Sequence, residues 1–580
     1  MKELTIGQIM ARKKWRSACL NLENKIDAFI RKYSFPRPVA MYFASRGIQG
    51  NEVTDFLNPR LTGLSDPYRF PGIKVAAKRL WDAVMNRDPI LIHGDYDTDG
   101  ITATALLSFV LRQNGGNVHS FIPHRFDDGY GFTPESLHKA VSTIPNDCKV
   151  LVTVDCGITS CEAVDEANKM GIDTIITDHH ESGPELPKAL AIINPKVNSD
   201  LKDLQVLAGA GVAFKLCHAF IKYGRQENLG GFTTKLEEIL DFVALGTVAD
   251  IVPLLGENRI LVKYGIEVLR KQFRPGIRAL IESSKIKTEL KPSDITFKLA
   301  PRINAAGRVG DANTALNLLE SDNIVEAYKF SANLEDFNAI RQQKEQEIYQ
   351  EAKEQIERSI DLDKRYSILV AGDDWHQGVI GIVASRIARD FNRPTIVLTI
   401  KDGKAYGSGR SVGTLNLVEV LYKSSELLER FGGHPMAVGI GMKSEVVSEF
   451  YDSMEANIQE QLSDADLEDY TSFDGEVQLE ELDDDFFKYL KHLGPFGHSN
   501  PKPVYRFNDL ELVKSFPIGK RHTRGVLRNR SNHQIEFIAF NFEHSQFQNS
   551  AMDVLAMPQV NTYYNLERPQ LQIIDLQALY

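Results

Sequence analysis

The sequence predicts a multidomain α/β protein built around a parallel sheet with helices on both faces, and three observations lead there. From about residue 71 to 320, β-like apolar runs alternate with helical patterns, the order that crossover helices between parallel strands produce. A stretch from about 324 to 360, rich in Glu, Gln, Lys and Ala and free of Gly and Pro, interrupts this alternation, which then restarts on a smaller scale. Beyond about 465 only short β-like runs remain, separated by turn signals. With 580 residues the chain is too long for a single hydrophobic core.

Taken in order, residues 1–70 read as a helical lead-in containing Lys13-Lys14-Trp15-Arg16, broken at Pro36 and Pro38 and closed by the turn-rich Asn58-Pro59-Arg60 and Ser65-Asp66-Pro67. Residues 71–323 form the main parallel-sheet domain. The stretch 324–360 is expected as one helix, on the order of 50 Å long at 1.5 Å per residue, acting as a strut. Residues 361–455 repeat the α/β pattern with Ser367-Ile368-Leu369-Val370-Ala371, a helical stretch from Gly378 to Asp390 and Thr395-Ile396-Val397-Leu398-Thr399. An acidic, apolar-poor linker is placed from Ser463 to Asp469. Runs such as Val504-Tyr505-Arg506-Phe507 and Ile535-Glu536-Phe537-Ile538-Ala539-Phe540 then suggest a small β-barrel over 465–580.

Hydrophobic content of 43% and charged content of 25% are those of a globular protein. The five cysteines (Cys19, Cys148, Cys156, Cys161, Cys217) lack Cys-x-x-Cys spacing, which argues against a disulfide framework and a structural zinc site and for a reducing compartment. The N-terminal residues lack a signal-peptide core and no run approaches the roughly 18 apolar residues of a membrane span, so a cytoplasmic protein without membrane contact is expected. A net charge of −11 would ordinarily weigh against nucleic acid. Clustered carboxylates inflate that sum, however, and the segment from Leu512 to Gln534 carries Lys514, Lys520, Arg521, Arg524, Arg528 and Arg530 with no acid and with Phe516 nearby, the makeup of a single-strand groove.

The most informative stretch is Ile90-Leu91-Ile92-His93-Gly94-Asp95-Tyr96-Asp97-Thr98-Asp99-Gly100, where three carboxylates and an imidazole follow an apolar run directly. Such crowding is costly unless cations compensate, and oxygen ligands with one imidazole suit Mn²⁺ or Mg²⁺. Three more clusters end apolar runs: Asp155-Cys156-Gly157, Asp178-His179-His180, and Asp250 after Leu245-Gly246-Thr247-Val248-Ala249. A parallel sheet gathers the carboxyl ends of its strands in one crevice, so the clusters are read together as one site. Cys156 is no nucleophile there, because neighbouring carboxylates raise a thiol pKa.

These motifs, in this order, resemble the DHH phosphoesterase superfamily, whose name is the triplet Asp178-His179-His180. The resemblance implies two divalent ions, Mn²⁺ or Mg²⁺, bridged by Asp155. One would take Asp97 and His93, the other Asp99, His179 and Asp250. Asp95 is left open as a ligand in place of His93, an orienting group or a group that positions the attacking water, while His180 would meet the scissile phosphate and Asp178 would orient its neighbours. A close pair of such ions lowers the pKa of a bridging water and stabilises the entering and leaving oxygens of an in-line displacement. Gly407-Ser408-Gly409-Arg410-Ser411 and Phe431-Gly432-Gly433-His434-Pro435 resemble the DHH-associated domain that faces the first domain across a cleft.

Pro301-Arg302-Ile303-Asn304-Ala305-Ala306-Gly307-Arg308, the run from Ala371 to Arg386, and Leu493-Gly494-Pro495-Phe496-Gly497 extend the match over essentially the whole chain. They resemble the branch of the superfamily formed by 5′→3′ exonucleases specific for single-stranded DNA. In Gly497-His498-Ser499-Asn500-Pro501 that branch would have a second glycine near Ser499, a departure that bears on the turn and not on the chemistry. The resemblance implies a barrel of the OB type that holds DNA through Lys520, Arg521 and Arg524. It implies a substrate grip from Arg302, Arg308, Gly432, Gly433 and His434, and a 5′ phosphate held by Ser408 and Arg410 with help from Arg308 and Arg125. It further implies release of 5′-mononucleotides by a monomer, with single-strand-binding protein and a helicase as partners in repair and recombination. The alternative is a phosphodiesterase of cyclic dinucleotides or short oligoribonucleotides, which would share the metal site and leave the last 110 or so residues without a purpose. On this reading, removal of residues from about 465 onward leaves the metal site assembled.

Overall fold

The computed structural model describes residues 14–125, 128–129, 131–144, 147–229, 234–519, 521–547, 551–563 and 566–579. The first domain holds a sheet of five parallel strands in the order Asn117–Phe121, Pro89–His93, Val150–Val154, Asp173–Thr177, Ala191–Ile193. Its central strands Pro89–His93 and Val150–Val154 are buried along their whole length and largely apolar because both faces are covered. Ile90, Ile92, Val150, Val152 and Ile175 enter the core on one side, and Leu91, Leu151 and Ile176 enter the core on the other.

The segment before Asp250 differs from expectation. It is the helix Leu240–Ala249, with Leu240 through Val248 buried. A helix packed on all sides is apolar all round, so its sequence carries no 3.6-residue period that would tell it from a buried strand.

The strut is the helix Ile324–Ser359, capped by Asn323, whose side chain accepts from the amides of Val325 and Glu326. Its second half packs a stripe of Ile348, Tyr349, Ala352 and Ile356 onto the second domain. There the sheet order is Arg430–His434, Ala437–Lys443, Lys404–Arg410, Thr395–Lys401, Ile368–Asp373, antiparallel except for the last pair. The helix Val447–Gln459 carries this domain past residue 455.

At the C-terminal end, Tyr505–Ile518, His522–Arg528, Gln534–Phe540, Leu566–Ala578 and Met552–Tyr563 follow one another, and the last pairs back onto the first to close a five-stranded barrel. The lead-in is not a separate unit. Its strand Lys14–Ser17 pairs in parallel with Tyr470–Phe473, and Ile26, Phe29, Tyr42, Phe43 and Phe56 share one core with Phe486, Tyr505 and Phe537. Cutting at 465 would therefore strip that core from the N-terminal helices. A truncation at 465, expected to leave the metal site assembled, would also uncover the apolar face of the N-terminal helices.

Candidate active site and metal centre

The acids of the first motif sit where the strand Pro89–His93 gives way to the helix Thr98–Gln113. Asp97 is the N-cap of that helix and accepts from the amides of Asp99 (2.9 Å) and Gly100 (3.1 Å). Asp99, in the first turn of the helix, accepts from Gly209 (2.6 Å) and Ala210 (2.9 Å) at the N-terminus of the helix Gly209–Gln226, whose dipole favours a negative charge there. Two glycines permit the crowding. A Cβ on Gly209 would run into the Asp155 carboxylate, and one on Gly246 would meet Thr102 and the Asp99 carboxylate. Asp155 leaves its strand in the left-handed region, with φ of 61°, a conformation that a non-glycine residue holds only when its surroundings dictate it.

Among the described residues, three groupings of side chains have ligand atoms within 4.8 Å of one another: Asp95, Asp97 and Asp155; Asp99, His179 and Asp250; and Asp155, His179 and His180. The His179 Nε2 atom lies 3.1 Å from Asp155 Oδ1, 3.7 Å from Asp250 Oδ2 and 4.0 Å from Asp99 Oδ2. His179 Nε2 and Asp155 Oδ1 are both buried without a hydrogen-bond partner, which is the state expected of atoms aimed at a cation.

Electrostatics agree with that arrangement. Burial first, then mutual repulsion of the carboxylates, raises Asp95 and Asp99 to about 7 and Asp250 to about 9, and lifts Asp155 well above the carboxylate range. Burial and the neighbouring His180 push His179 down to about 3, so its imidazole is neutral and able to ligate. For His180 burial acts downward, but the 2.8 Å contact from Nδ1 to Asp178 Oδ1 and the surrounding acids carry it up to about 9. Asp178 is itself fixed by the amides of Ile158, His179 and His180, and despite burial the His180 contact holds it below the ordinary value. Burial and three acids raise the Cys156 thiol far above its usual pKa, which excludes a thiolate nucleophile.

A cleft of about 190 Å³ opens at the cluster, lined by the acids Asp95, Asp97, Asp155 and Asp250 and by His180, Tyr96, Arg125, Asn304 and Arg308. Arg125 stacks 5.0 Å from the Tyr96 ring centre. Arg308 reaches the second domain, donating to the Gly378 carbonyl at 3.0 Å, and Arg410 is anchored by Ser385 Oγ at 2.9 Å. Burial, and next the nearby Arg125, lower Arg308 to about 10 and also lower Arg410, so three cations converge from both sides of the cleft. Ser408 and Arg410 face Gly381 near the start of the helix Gln377–Phe391.

Not every predicted residue joins the site. His93 is fully buried beneath it, with Nε2 3.1 Å from Ser136 Oγ and its ring against Phe121 and Phe132, and it is absent from the three groupings among the described residues. Asp95 stands in its place. Arg302 turns away, bound to Glu335 at 2.6 Å and to the Lys298 carbonyl. Asn304, missed from sequence, lines the cleft and accepts from the amide and hydroxyl of Thr98. Helical spacing would have found it, because Asn304, Gly307 and Arg308 share a face of the helix Ala300–Val309 that Arg302 does not.

Gly432, Gly433 and His434 lie exposed on the edge strand Arg430–His434. On the barrel, Arg528 and Arg530 are paired with Glu511 and Asp509, while Arg521 is exposed and Arg524 lies 6.0 Å from the ring of the exposed Phe516, near His522 and Phe540. Lys520 lies outside the described residues.

Among the described residues no helix is long and apolar enough to cross a membrane. A family model for the N-terminal domain of the DHH family matches residues 89–247, one for the DHHA1 domain matches 363–460, and one for the RecJ OB domain matches 473–575. The chain is 34% identical over 562 residues to the single-stranded-DNA-specific exonuclease RecJ of Bacillus subtilis (strain 168), covering 95% of this chain and 69% of that protein. To the enzyme of the same name from Dickeya dadantii (strain 3937) it is 37% identical over 530 residues, covering 88% and 90%. The crystal structure of RecJ in complex with Mn²⁺ from Thermus thermophilus superposes with a TM-score of 0.81 at 28% identity, covering 99% of this chain and 80% of that one; its Mg²⁺ complex gives 0.75. By identity, coverage and domain order, the chain belongs to the RecJ family of single-stranded-DNA-specific exonucleases.

Proposed function

We propose that this protein is a two-metal exonuclease that hydrolyses single-stranded DNA from the 5′ end and releases 5′-mononucleotides. The observation that carries the reading is a pair of ligand sets, Asp95 with Asp97 and Asp99 with His179 and Asp250, meeting at Asp155 on the floor of a cleft walled by arginines. Bound Mn²⁺ or Mg²⁺ would supply Lewis acidity toward phosphate oxygens and a water of lowered pKa.

The chain's own residues do the rest. Asp178 keeps the His180 imidazole protonated, so its remaining N–H can donate to a phosphate oxygen and offset charge that builds during displacement. Arg125 repels both Arg308 and Arg410, and a 5′ phosphate bound among them would relieve that repulsion and hold the end of the strand at the cleft. Ser408 adds a hydroxyl from the same strand as Arg410. Exposed Phe516 and Phe540 and half-buried His522, with Arg521 and Arg524, offer stacking and charge to the strand beyond. As part of this reading the enzyme works as a cytoplasmic monomer in repair and recombination, where single-strand-binding protein and a helicase would present the strand.

The competing reading is a phosphodiesterase of cyclic dinucleotides or short oligoribonucleotides. It is disfavoured by the barrel and its exposed aromatic and basic face. Turnover of a long single strand, a blunt duplex and a cyclic dinucleotide, each with Mn²⁺ and with chelator, decides between them. The single strand should be degraded only with metal and the other two should resist; preferential turnover of the dinucleotide would reverse the assignment.

A further inference from the structure

Between the ligand Asp250 and the helix Gly256–Lys271 the chain makes a short arch, and the C-terminal domain holds its far end. The arch begins under tension: Ile251, β-branched and 58% exposed, has φ of 60°. A β-branched residue persists there only where the flanking structure dictates it. On the near side the Asp250 amide still donates to Gly246, and on the far side the Leu254 amide donates to the His498 carbonyl of the C-terminal domain at 2.9 Å. Leu254 also packs so closely on Gly497 that a Cβ at 497 would sit 2.6 Å from its Cδ1.

The next turn contains three consecutive buried polar residues, each fastened to a different segment. Glu257 binds Lys215 at 2.6 Å and the Ser65 amide; Asn258 donates to the carbonyls of Val206 and Pro253. Arg259, 2% exposed, donates to the carbonyls of Phe56, His492, Leu493 and Gly494 and lies 3.7 Å over the Phe56 ring. The abutment it grips is rigid, because the fully buried Asn500 ties Leu493 and Pro495 together and accepts from Tyr42. A guanidinium taken out of water and satisfied by four carbonyls ties two domains together at one defined distance, and no other side chain has a fork that reproduces that geometry.

We infer that Arg259 and the turn at residues 494–500 position Asp250, so that the domain which grips the strand also sets the geometry of the metal ligands. Arg259 is a positioning residue, acting through the arch. The inference rests on the two-metal reading above, and two full-length variants test it from opposite sides of the interface. Arg259→Gln loosens the clamp from the first domain, and Gly497→Ala displaces Leu254 from the C-terminal domain. Each is compared with the unaltered protein by calorimetric Mn²⁺ titration, by thermal melting, and by kcat and KM on a trinucleotide too short to reach the barrel.

At least a tenfold loss of Mn²⁺ affinity is expected in folded protein, with trinucleotide kcat lowered, KM unmoved and kcat recovered at excess Mn²⁺. A merely structural interface would lower the melting temperature and leave Mn²⁺ affinity within twofold of the unaltered protein, and that result would overturn the inference. Gly497→Ala decides the matter where Arg259→Gln fails to fold. Absence of Mn²⁺ binding by the unaltered protein would overturn the two-metal reading, and this inference with it.

Discussion

Asp155 belongs to two of the three ligand groupings, and it is held in a left-handed conformation with one oxygen unpartnered. Asp155→Asn keeps its shape and removes the charge, so turnover should fall by roughly 100-fold or more, since loss even of a group that merely orients a ligand costs about 10- to 100-fold. The same change removes one member of a repelling cluster, so the metal-free variant should melt higher than the metal-free parent. Appreciable turnover with added Mn²⁺ would break the bridging assignment.

The pH dependence follows from the same residues. In the metal-free chain Asp95 and Asp99 hold protons up to about pH 7 and Asp250 and His180 up to about 9, against 3.8 and 6.5 unfolded. Between pH 6.5 and 9 the folded chain therefore binds more protons than the unfolded one, and stability falls as pH rises, by roughly 1.4 kcal/mol per pH unit for each excess proton. His93 and His179, pushed down by burial to about 4 and about 3, act in the opposite sense only below pH 6.5. Calorimetry of chelator-treated protein should show the melting temperature dropping across that window, and saturating Mn²⁺ should flatten the curve. At this scale charge was legible in sequence and direction was not: the acids and the His179 imidazole were found by type, while His93 and Arg302 carry the right chemistry and point elsewhere. Ser499 is instructive in reverse, since the position where a glycine was expected does adopt φ of 58° and the turn from Gly497 to Asn500 still closes.

At the scale of elements, ligands are placed by helix ends and by the absence of side chains. Gly209→Ala puts a methyl against the Asp155 carboxylate at the helix start that also holds Asp99, so Mn²⁺ affinity should fall at least tenfold while far-UV dichroism is unchanged. An unaltered titration would show that the cluster can relax around the methyl. Across the cleft, Arg410→Ala removes a charge-assisted contact of about 1.5 to 3 kcal/mol, so the preference for a 5′ phosphate over a 5′ hydroxyl should shrink roughly 10- to 150-fold. Equal losses on both substrates would make Arg410 structural. Strands and the long helix were readable because their periods and flanking breaks are local, whereas the helix Leu240–Ala249 carries no period and was read as strand-like.

For the whole molecule, the unforeseen feature is that the two ends of the described chain share a core and clamp the arch after Asp250. The shared core brings together residues more than 400 positions apart, and the clamp residues 234 apart, so neither leaves a local signature. The barrel's basic face was visible as composition, but only the fold separates Arg524, stacked beside Phe516, from Arg528, which is neutralised by Glu511. Replacing Arg521 and Arg524 together by Ala should weaken long-strand binding and reduce the slope of log affinity against log salt by about 0.7 per lost contact, with trinucleotide turnover affected least. An unchanged slope would move the DNA grip elsewhere.

The central claim is metal-dependent hydrolysis from the 5′ end, and it is tested most directly by following one long 5′-phosphorylated single strand labelled at either end, with Mn²⁺. The account predicts that the 5′ label appears at once as a mononucleotide while the 3′ label stays in fragments that shorten step by step. A 3′ label released first, or internal fragments carrying the 5′ label, would contradict it.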